Sequence, residues 1–315
     1  MAPHNSTHKI WRDGTFVNWD DATVHVMSHV VHYGSSIFEG IRCYPTPTGP
    51  AIFRLGDHMR RFVDSCRIYR MPLTHSHEAL VQGCVDTVSE NALTQCYLRP
   101  VALRTGEQMG IFPENVPLEV FIVPWQWGAY LGKAGLSDGV DVCVSSWRRA
   151  APDTFPALAK AGGNYLNSQL SLMEARIDGY SEGIMLDSFG FVSEGSGENV
   201  FLVRDGKIFT STIGSGILNG ITRDSVLTLA RDMGIPVVEQ TIPREMLYLA
   251  DELFFTGTAV EITPIKSVDR IPIGTGKPGP ISLAIQKEYM GIAKGAIPDR
   301  YGWLTHVPSE VPAGI

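Results

Sequence analysis

The chain has few cysteines, no long apolar run and no concentration of one charge. Its five cysteines (Cys43, Cys66, Cys84, Cys96 and Cys143) are odd in number, widely spaced and form no C-x-x-C pair. That pattern argues against a disulfide framework or a cysteine zinc site, and fits reduced thiols in a cytoplasmic protein. The longest apolar runs are strand-sized, well short of the roughly 20 residues a membrane helix needs. The first residues lack an apolar h-region, so no secretory signal is expected. No basic stretch exceeds a few residues, which removes the electrostatic footprint of a nucleic-acid binder. Charged residues are 19% of the chain and the net charge is -7, a balance that mainly favours solubility. The nine histidines cluster only at His25, His29 and His32. His25 and His29 have i, i+4 spacing, but Val24, Val26, Val30 and Val31 around them favour a strand, so no metal site is expected.

What is present is enough to fold. With 315 residues and 44% hydrophobic content, a sizeable core and two domains are expected. Strand patterns fall at 35–44, 51–55, 95–104 and 118–125. Helical spacing begins at Asp57, a plausible cap, and again over 76–91. The Gly/Ala-rich stretch 129–135 reads as an inter-domain loop between a smaller domain, 1–128, and a larger one, 136–315. In the larger part, strands are expected at 140–146, 183–187, 199–203, 207–210, 252–256 and 261–268. Asp205-Gly206 marks a hairpin turn. Helices are expected at 167–177, with Leu170, Leu172, Met173 and Ile177 as the apolar stripe, at 222–232 and at 281–293.

Four segments carry chemistry. Lys160 lies among small uncharged residues, Ala157-Leu158-Ala159-Lys160-Ala161-Gly162-Gly163. A desolvated lysine is the amine that attacks a carbonyl to form a Schiff base. Gly214 to Gly220 feeds a helix with Thr222 at its start, an arrangement that suits a phosphate. The Gly257-Thr258-Ala259 turn could close an anion cup from a second side. Glu194, in the glycine-flanked run Ser193 to Asn199, could keep a pyridine nitrogen protonated, with Glu198 as its rival. Gly274-Thr275-Gly276-Lys277 is not a phosphate loop, because Pro278 replaces the hydroxyl residue and Ile271 the first glycine.

These segments resemble the bacterial branched-chain amino acid aminotransferases of pyridoxal phosphate fold type IV. The match runs through His32-Tyr33-Gly34-Ser35-Ser36-Ile37-Phe38-Glu39-Gly40-Ile41-Arg42, Lys160 to Tyr165, Ser193-Glu194-Gly195, Gly220-Ile221-Thr222-Arg223 and Gly257 to Pro264, in the family's order. The resemblance implies a mixed α/β, two-domain fold like that of D-amino acid aminotransferase, with pyridoxal 5'-phosphate as cofactor. It implies that Lys160 bonds the cofactor and moves the proton, that Glu194 pairs with the ring nitrogen and that Tyr165 meets the phenolic oxygen. Arg61, Ile221, Thr222 and Thr258 would hold the phosphate. Tyr97, with the N–H groups of Thr258 and Ala259, would hold the substrate α-carboxylate. Tyr33, Phe38, Gly40, Ile111, Trp127 and Tyr130 would line the side-chain pocket, and Arg99 would meet the γ-carboxylate of glutamate. The 106–112 segment, which shapes that pocket, departs from the family's pattern in detail and length.

The reaction so implied is reversible transamination between leucine, isoleucine or valine and 2-oxoglutarate, giving branched-chain 2-oxo acids and glutamate, by a homodimer or higher oligomer. D-amino acid aminotransferases, (R)-amine transaminases and aminodeoxychorismate lyases share Lys160 and Glu194 and form the nearest alternative. A nicotinamide-dependent dehydrogenase and a non-catalytic binding protein are the alternatives from other classes.

Overall fold

The computed structural model describes residues 7–128 and 130–308. Contacts divide the chain into two compact units. One runs up to Trp127 and includes Ala159–Gly163 and the chain from Gly291; the other is Gly128–Leu158 with Asn164–Met290. Composition alone placed everything from 136 in the second domain, yet 159–163 and the C-terminal segment cluster with the first unit. The expected loop at 129–135 is largely helix, α4 Gly132–Asp138, and Ala129 lies outside the described residues.

The first unit is built on an eight-stranded sheet. Its strands include β1 Lys9–Arg12, β2 Thr15–Asn18, β3 Ser36–Phe38, β4 Ile41–Thr46, β5 Gly49–Phe53, β6 Cys96–Arg104 and β7 Leu118–Trp125. Strand Leu304–His306 joins the edge beside β5. The β6 burial pattern alternates over much of its length, as expected for a strand with one covered face. Helices α2 Leu55–Ile68 and α3 His77–Glu90 bury Leu55, Met59, Phe62, Leu80, Cys84 and Val88 against Ile37, Ile41, Leu98 and Ile122. Ser76 caps α3 by accepting from Ala79 N at 3.2 Å. Asp57 is not the α2 cap; it sits in the first turn and accepts from Arg54 Nε at 2.7 Å. Residues 29–33 form a short helix, α1 His29–Tyr33, where valines predicted a strand. The reason is His29, buried by bonds from its ring to Ser35 Oγ and Gly110 O.

The second unit has a nine-stranded sheet. Its strands are β8 Val140–Val144, β9 Glu182–Leu186, β10 Val192–Gly195, β11 Asn199–Arg204, β12 Lys207–Thr210, β13 Val237–Glu239, β14 Glu252–Gly257, β15 Glu261–Val268 and β16 Ile271–Pro272. The order β10-β9-β8-β15-β14-β11, with β10 also paired to β11, closes these strands on themselves. Asp205 and Gly206 both have positive φ and make the β11–β12 hairpin, as the Asp-Gly pair predicts. The unit also holds helices α5 Tyr165–Ile177, α6 Ile221–Asp232, α7 Glu245–Tyr248 and, up to Met290, α8 Pro280–Ala293. In α5 the expected apolar stripe is not the buried one. Ser168, Ser171 and Ala175 are buried, while Leu166, Leu170, Met173 and Ile177 are exposed. Side-chain size decides this: Ser171 faces Gly183 of β9, where an added Cβ would stand 2.7 Å from its Oγ. All five cysteines are buried and free. Among the described residues, no helix is long and apolar enough to cross a membrane.

Candidate active site

The Lys160 backbone is tied on both sides. Its N–H donates to Ser65 Oγ at 3.1 Å, and its carbonyl accepts from Phe38 N at 3.0 Å. The next residue, Ala161, forms a bridge with Ile37 of β3. This explains the run of small residues. A Cβ on Gly162 would overlap the Ser36 hydroxyl, so only glycine lets this segment lie on β3. Lys160 is half-buried, and its Nζ lies 5.0 Å from the centroid of the Phe38 ring.

Strand register then gathers a polar and aromatic face. Side chains two apart on a strand share a face, and directly paired residues on neighbouring strands share it too. The pairs are Phe38 with Val101, Arg42 with Tyr97, and Tyr97 with Trp125. Tyr97, Arg99 and Val101 alternate along β6, so Phe38, Arg42, Tyr97, Arg99 and Trp125 all lie on one side. Gly40 is required there, because a Cβ would overlap the Tyr97 hydroxyl. Trp127 joins through its ring, 4.6 Å from Tyr97, and its carbonyl accepts from Arg42 Nη1 at 3.4 Å. The Arg99 guanidinium lies 4.6 Å from the Phe38 ring, 5.3 Å from Trp125 and 5.8 Å from Tyr97. Among the described residues no carboxylate pairs with Arg99, and its buried Nε has no hydrogen-bond partner. A structural role for Arg99, paired to a core acid, therefore has no acid to support it.

Arg61 stands in the same unit, tied to Glu39. Its Nε donates to Oε1 at 2.6 Å and its Nη2 to Oε2 at 2.8 Å, while His58 Nδ1 lies 2.7 Å from Oε2. Glu39 is fully buried. Burial alone would raise its carboxyl; the Arg61 guanidinium and the His58 ring outweigh that and hold it well below the usual carboxylate range. Burial also lowers the His58 pKa, partly countered by Glu39. Tyr33 closes α1, and Ile111 follows Gly110, whose carbonyl meets the His29 ring. Tyr33 and Ile111 are both exposed, and the Tyr33 hydroxyl accepts from Gly110 N at 3.2 Å.

The second unit assembles its residues around Asn199. Glu194 is not on a solvated loop; it is buried in β10, opposite Asn199 of β11. Its Oε2 accepts from Asn199 Nδ2 and from Leu218 N, each at 3.0 Å, and its Oε1 meets Arg149 Nη2 at 2.9 Å. Asn199 also pairs with Thr256 of β14, which leads into the Gly257-Thr258-Ala259 turn. On its other side it bonds Leu218 O at 2.9 Å, and a Cβ on Gly220 would overlap its amide oxygen. Gly220, not Thr222, is the N-cap of α6; Ile221 and Thr222 are its first residues, both buried. Gly220 has no side chain to cap the helix, and the Thr222 side chain makes no hydrogen bond to any described residue. Glu198 folds back on its own turn, accepting from Gly197 N at 3.0 Å. Tyr130 is half-buried against this unit's core, and burial together with Glu198 and Glu182 raises its hydroxyl pKa. Tyr165 opens α5. Glu39, His58, Arg149, Asn199 and Trp125 were not read as partners of these residues from the sequence. Only Asn199 had a visible signal, since the short glycine turn after Glu194 places it opposite.

The Glu39 pair gives a measurable expectation. Removing one partner of a buried ion pair costs about 3–5 kcal/mol, because the other charge is left uncompensated. Glu39→Gln should therefore lower unfolding free energy by about that amount at neutral pH. A folded-state pKa depressed below the unfolded value gives stability that is present above about pH 4.3 and is lost on acidification below it. Urea unfolding of both proteins at pH 7 and in the acid range checks this: the difference should be constant near neutrality and shrink in acid.

In the second unit, a buried carboxylate at Glu194 and a side-chain-uncapped helix start carrying Thr222 fit a phosphorylated pyridine, and in the first unit Lys160 supplies an amine. The class IV amino-transferase family model matches residues 36–268. A branched-chain-amino-acid aminotransferase of Salmonella typhimurium is 50% identical over 301 residues, 95% of this chain and 97% of that protein. The crystal structure of the Escherichia coli branched-chain amino acid aminotransferase superposes with a TM-score of 0.94 at 50% identity, covering 96% of this chain and 100% of that one. The branched-chain amino acid aminotransferase from Thermobaculum terrenum, in its PLP-form, superposes with a TM-score of 0.90 at 36% identity, over 96% and 99% of the two chains. The chain belongs to the class IV aminotransferases and, among them, to the branched-chain-amino-acid aminotransferases.

Proposed function

We propose that this pyridoxal 5'-phosphate-dependent transaminase moves the amino group of L-leucine, L-isoleucine or L-valine reversibly to 2-oxoglutarate, yielding the branched-chain 2-oxo acid and L-glutamate. The observation that carries the acceptor is Arg99, a partly buried guanidinium on the aromatic face with no acid among the described residues. A planar guanidinium takes a carboxylate by two parallel hydrogen bonds. The Phe38 ring beside it also offers an apolar wall to a branched side chain, so one face can serve both substrates.

When bound, the cofactor supplies an electron sink for the α-carbon of the amino acid. The chain's own groups do the rest. Lys160 would hold the cofactor through its Nζ and, once free of it, would move the proton at the substrate α-carbon. Glu194, kept in place by Arg149, Asn199 and the Leu218 N–H, would accept from the protonated ring nitrogen. Ile221, Thr222 and Thr258, with Arg61, hold the phosphate; the α6 start provides N–H groups and the positive end of the helix dipole. Tyr97 and the Thr258 and Ala259 N–H groups hold the α-carboxylate, and Tyr165 the phenolic oxygen. Tyr33, Phe38, Gly40, Ile111, Trp127 and Tyr130 line the pocket. We further infer a homodimer or larger homo-oligomer. Exposed Val26, Ile111 and Phe112 in one unit, and Leu166, Met173 and Ile177 in the other, support it, since apolar groups at this density favour burial against another copy.

Four substitutions test this. Lys160→Ala should leave a folded protein whose turnover is lower by at least about 10²–10⁴-fold, the contribution of a positioned acid–base group. Normal turnover would sink the assignment. Glu194→Gln should cut turnover, while Glu198→Gln should not, because Glu198 is spent on its own turn; the reverse outcome moves the role to Glu198. Arg99→Ala should slow the half-reaction with glutamate by about 10- to 100-fold, from charged hydrogen bonds worth about 1.5–3 kcal/mol. The leucine half-reaction should change far less. Single-turnover rates decide it, and equal losses would remove Arg99 from the distal end of the substrate.

A further inference from the structure

We propose that Trp125 is a positioning residue for substrate specificity: it holds the Arg99 guanidinium for the distal carboxylate of dicarboxylic substrates, and touches no substrate itself. This rests on the reading of Arg99 given above. Arg99 is a long side chain that must be held in one rotamer to present its two N–H donors side by side. Side-chain hydrogen bonds usually do this, yet none of the described residues bonds its side chain, and its buried Nε is unpartnered. Aromatic faces are what remain. Phe38 and Tyr97 already have other work in the proposed site. Trp125 does not, and its ring is 5.3 Å from the guanidinium. Indole is the strongest of the aromatic partners for a cation.

The sheet fixes that contact. Trp125 is directly opposite Tyr97, and Arg99 is opposite Val123, so Trp125 is the diagonal neighbour of Arg99 on one face. Diagonal neighbours on a sheet lie within reach of long and aromatic side chains. The Trp125 ring is itself clamped, 5.0 Å from Tyr97 and 5.8 Å from Trp127. The arrangement also accounts for tolerance of apolar substrates. With a branched side chain in place the guanidinium meets no anion, and the ring quadrupoles offset its charge in part. With a dicarboxylate in place its N–H edge is already aligned. Trp125 therefore sets the ratio of dicarboxylate to apolar binding, not the chemistry.

The test uses the holoenzyme and two unreactive probes, glutarate and 4-methylvalerate, with dissociation constants from titration. Trp125→Leu should weaken glutarate by about tenfold, the scale of one desolvated cation–aromatic contact. 4-Methylvalerate should stay within about twofold. Trp125→Phe, which keeps a ring face, should retain most of the glutarate affinity. Added to Arg99→Leu, the Trp125→Leu change should cost glutarate nothing more. Equal weakening of both probes by Trp125→Leu, a Phe variant as poor as the Leu variant, or an undiminished further loss in the Arg99→Leu background would each overturn the proposal. Unaltered glutarate binding by Arg99→Leu alone would instead overturn the reading of Arg99 on which it rests.

Discussion

A charge taken out of water must be met by an opposite charge, by a shell of hydrogen bonds or by polarisable faces, and this requirement shapes both halves of the molecule. Desolvating an ion costs several kcal/mol even after relaxation. Glu39 meets that cost with the Arg61 fork and the His58 ring. Glu194 meets it with one guanidinium, one amide and one backbone N–H. Each hydrogen bond to a charged group returns about 1.5–3 kcal/mol, so three suffice. Among the described residues the Arg99 guanidinium meets aromatic rings and no acid, each ring worth about 0.5–2 kcal/mol. It is the least compensated of the three and so the one with most to gain from an incoming anion.

The charges are placed by backbone, which is why they hold position. Glu194, Asn199 and Thr256 lie in register across β10, β11 and β14, so one asparagine ties the buried acid to the Gly257 turn. The same asparagine packs on Gly220, where any side chain would collide with it. In the other unit, register alone puts Phe38, Arg42, Tyr97, Arg99 and Trp125 on one face. Neither arrangement depends on a flexible loop. A change of register by one residue would send every one of these side chains to the opposite face.

Legibility in the sequence followed the range of the interactions. Period-two alternation and the Asp205-Gly206 turn are local, and they marked β6, β7, β11 and β12 close to where they lie. The lone Lys160 and the glycine-flanked Glu194 stood out because their neighbours are small. Their settings did not. The glycines near Lys160 serve contact with β3, and Glu194 is a strand residue met by Arg149, 45 positions away in sequence, across strands no local pattern pairs. In α5, apolar periodicity reports which face can be buried, not which face this unit buries. Ser171 against Gly183 was the closer fit. The N-cap of α6 falls two residues before Thr222, although a hydroxyl is the commoner cap. Here Asn199 occupies the space a larger cap would need.

Phe38 links the reactive and the distal ends of the proposed substrate. Its ring is contacted by Lys160 Nζ and by the Arg99 guanidinium, its N–H bonds the Lys160 carbonyl, and it pairs with Val101 on the strand that carries Arg99. The separation between amine and guanidinium is thus set by one ring and two backbone connections, with no long side-chain relay between them. Within the proposed reading, that fixed separation is what lets a five-carbon dicarboxylate place its α-carbon at one end and its distal carboxylate at the other. A branched aliphatic chain of similar length fills the same interval by contact with the Phe38 ring. Selection between the two substrates then falls to the N–H edge of Arg99, because the apolar surface is common to both.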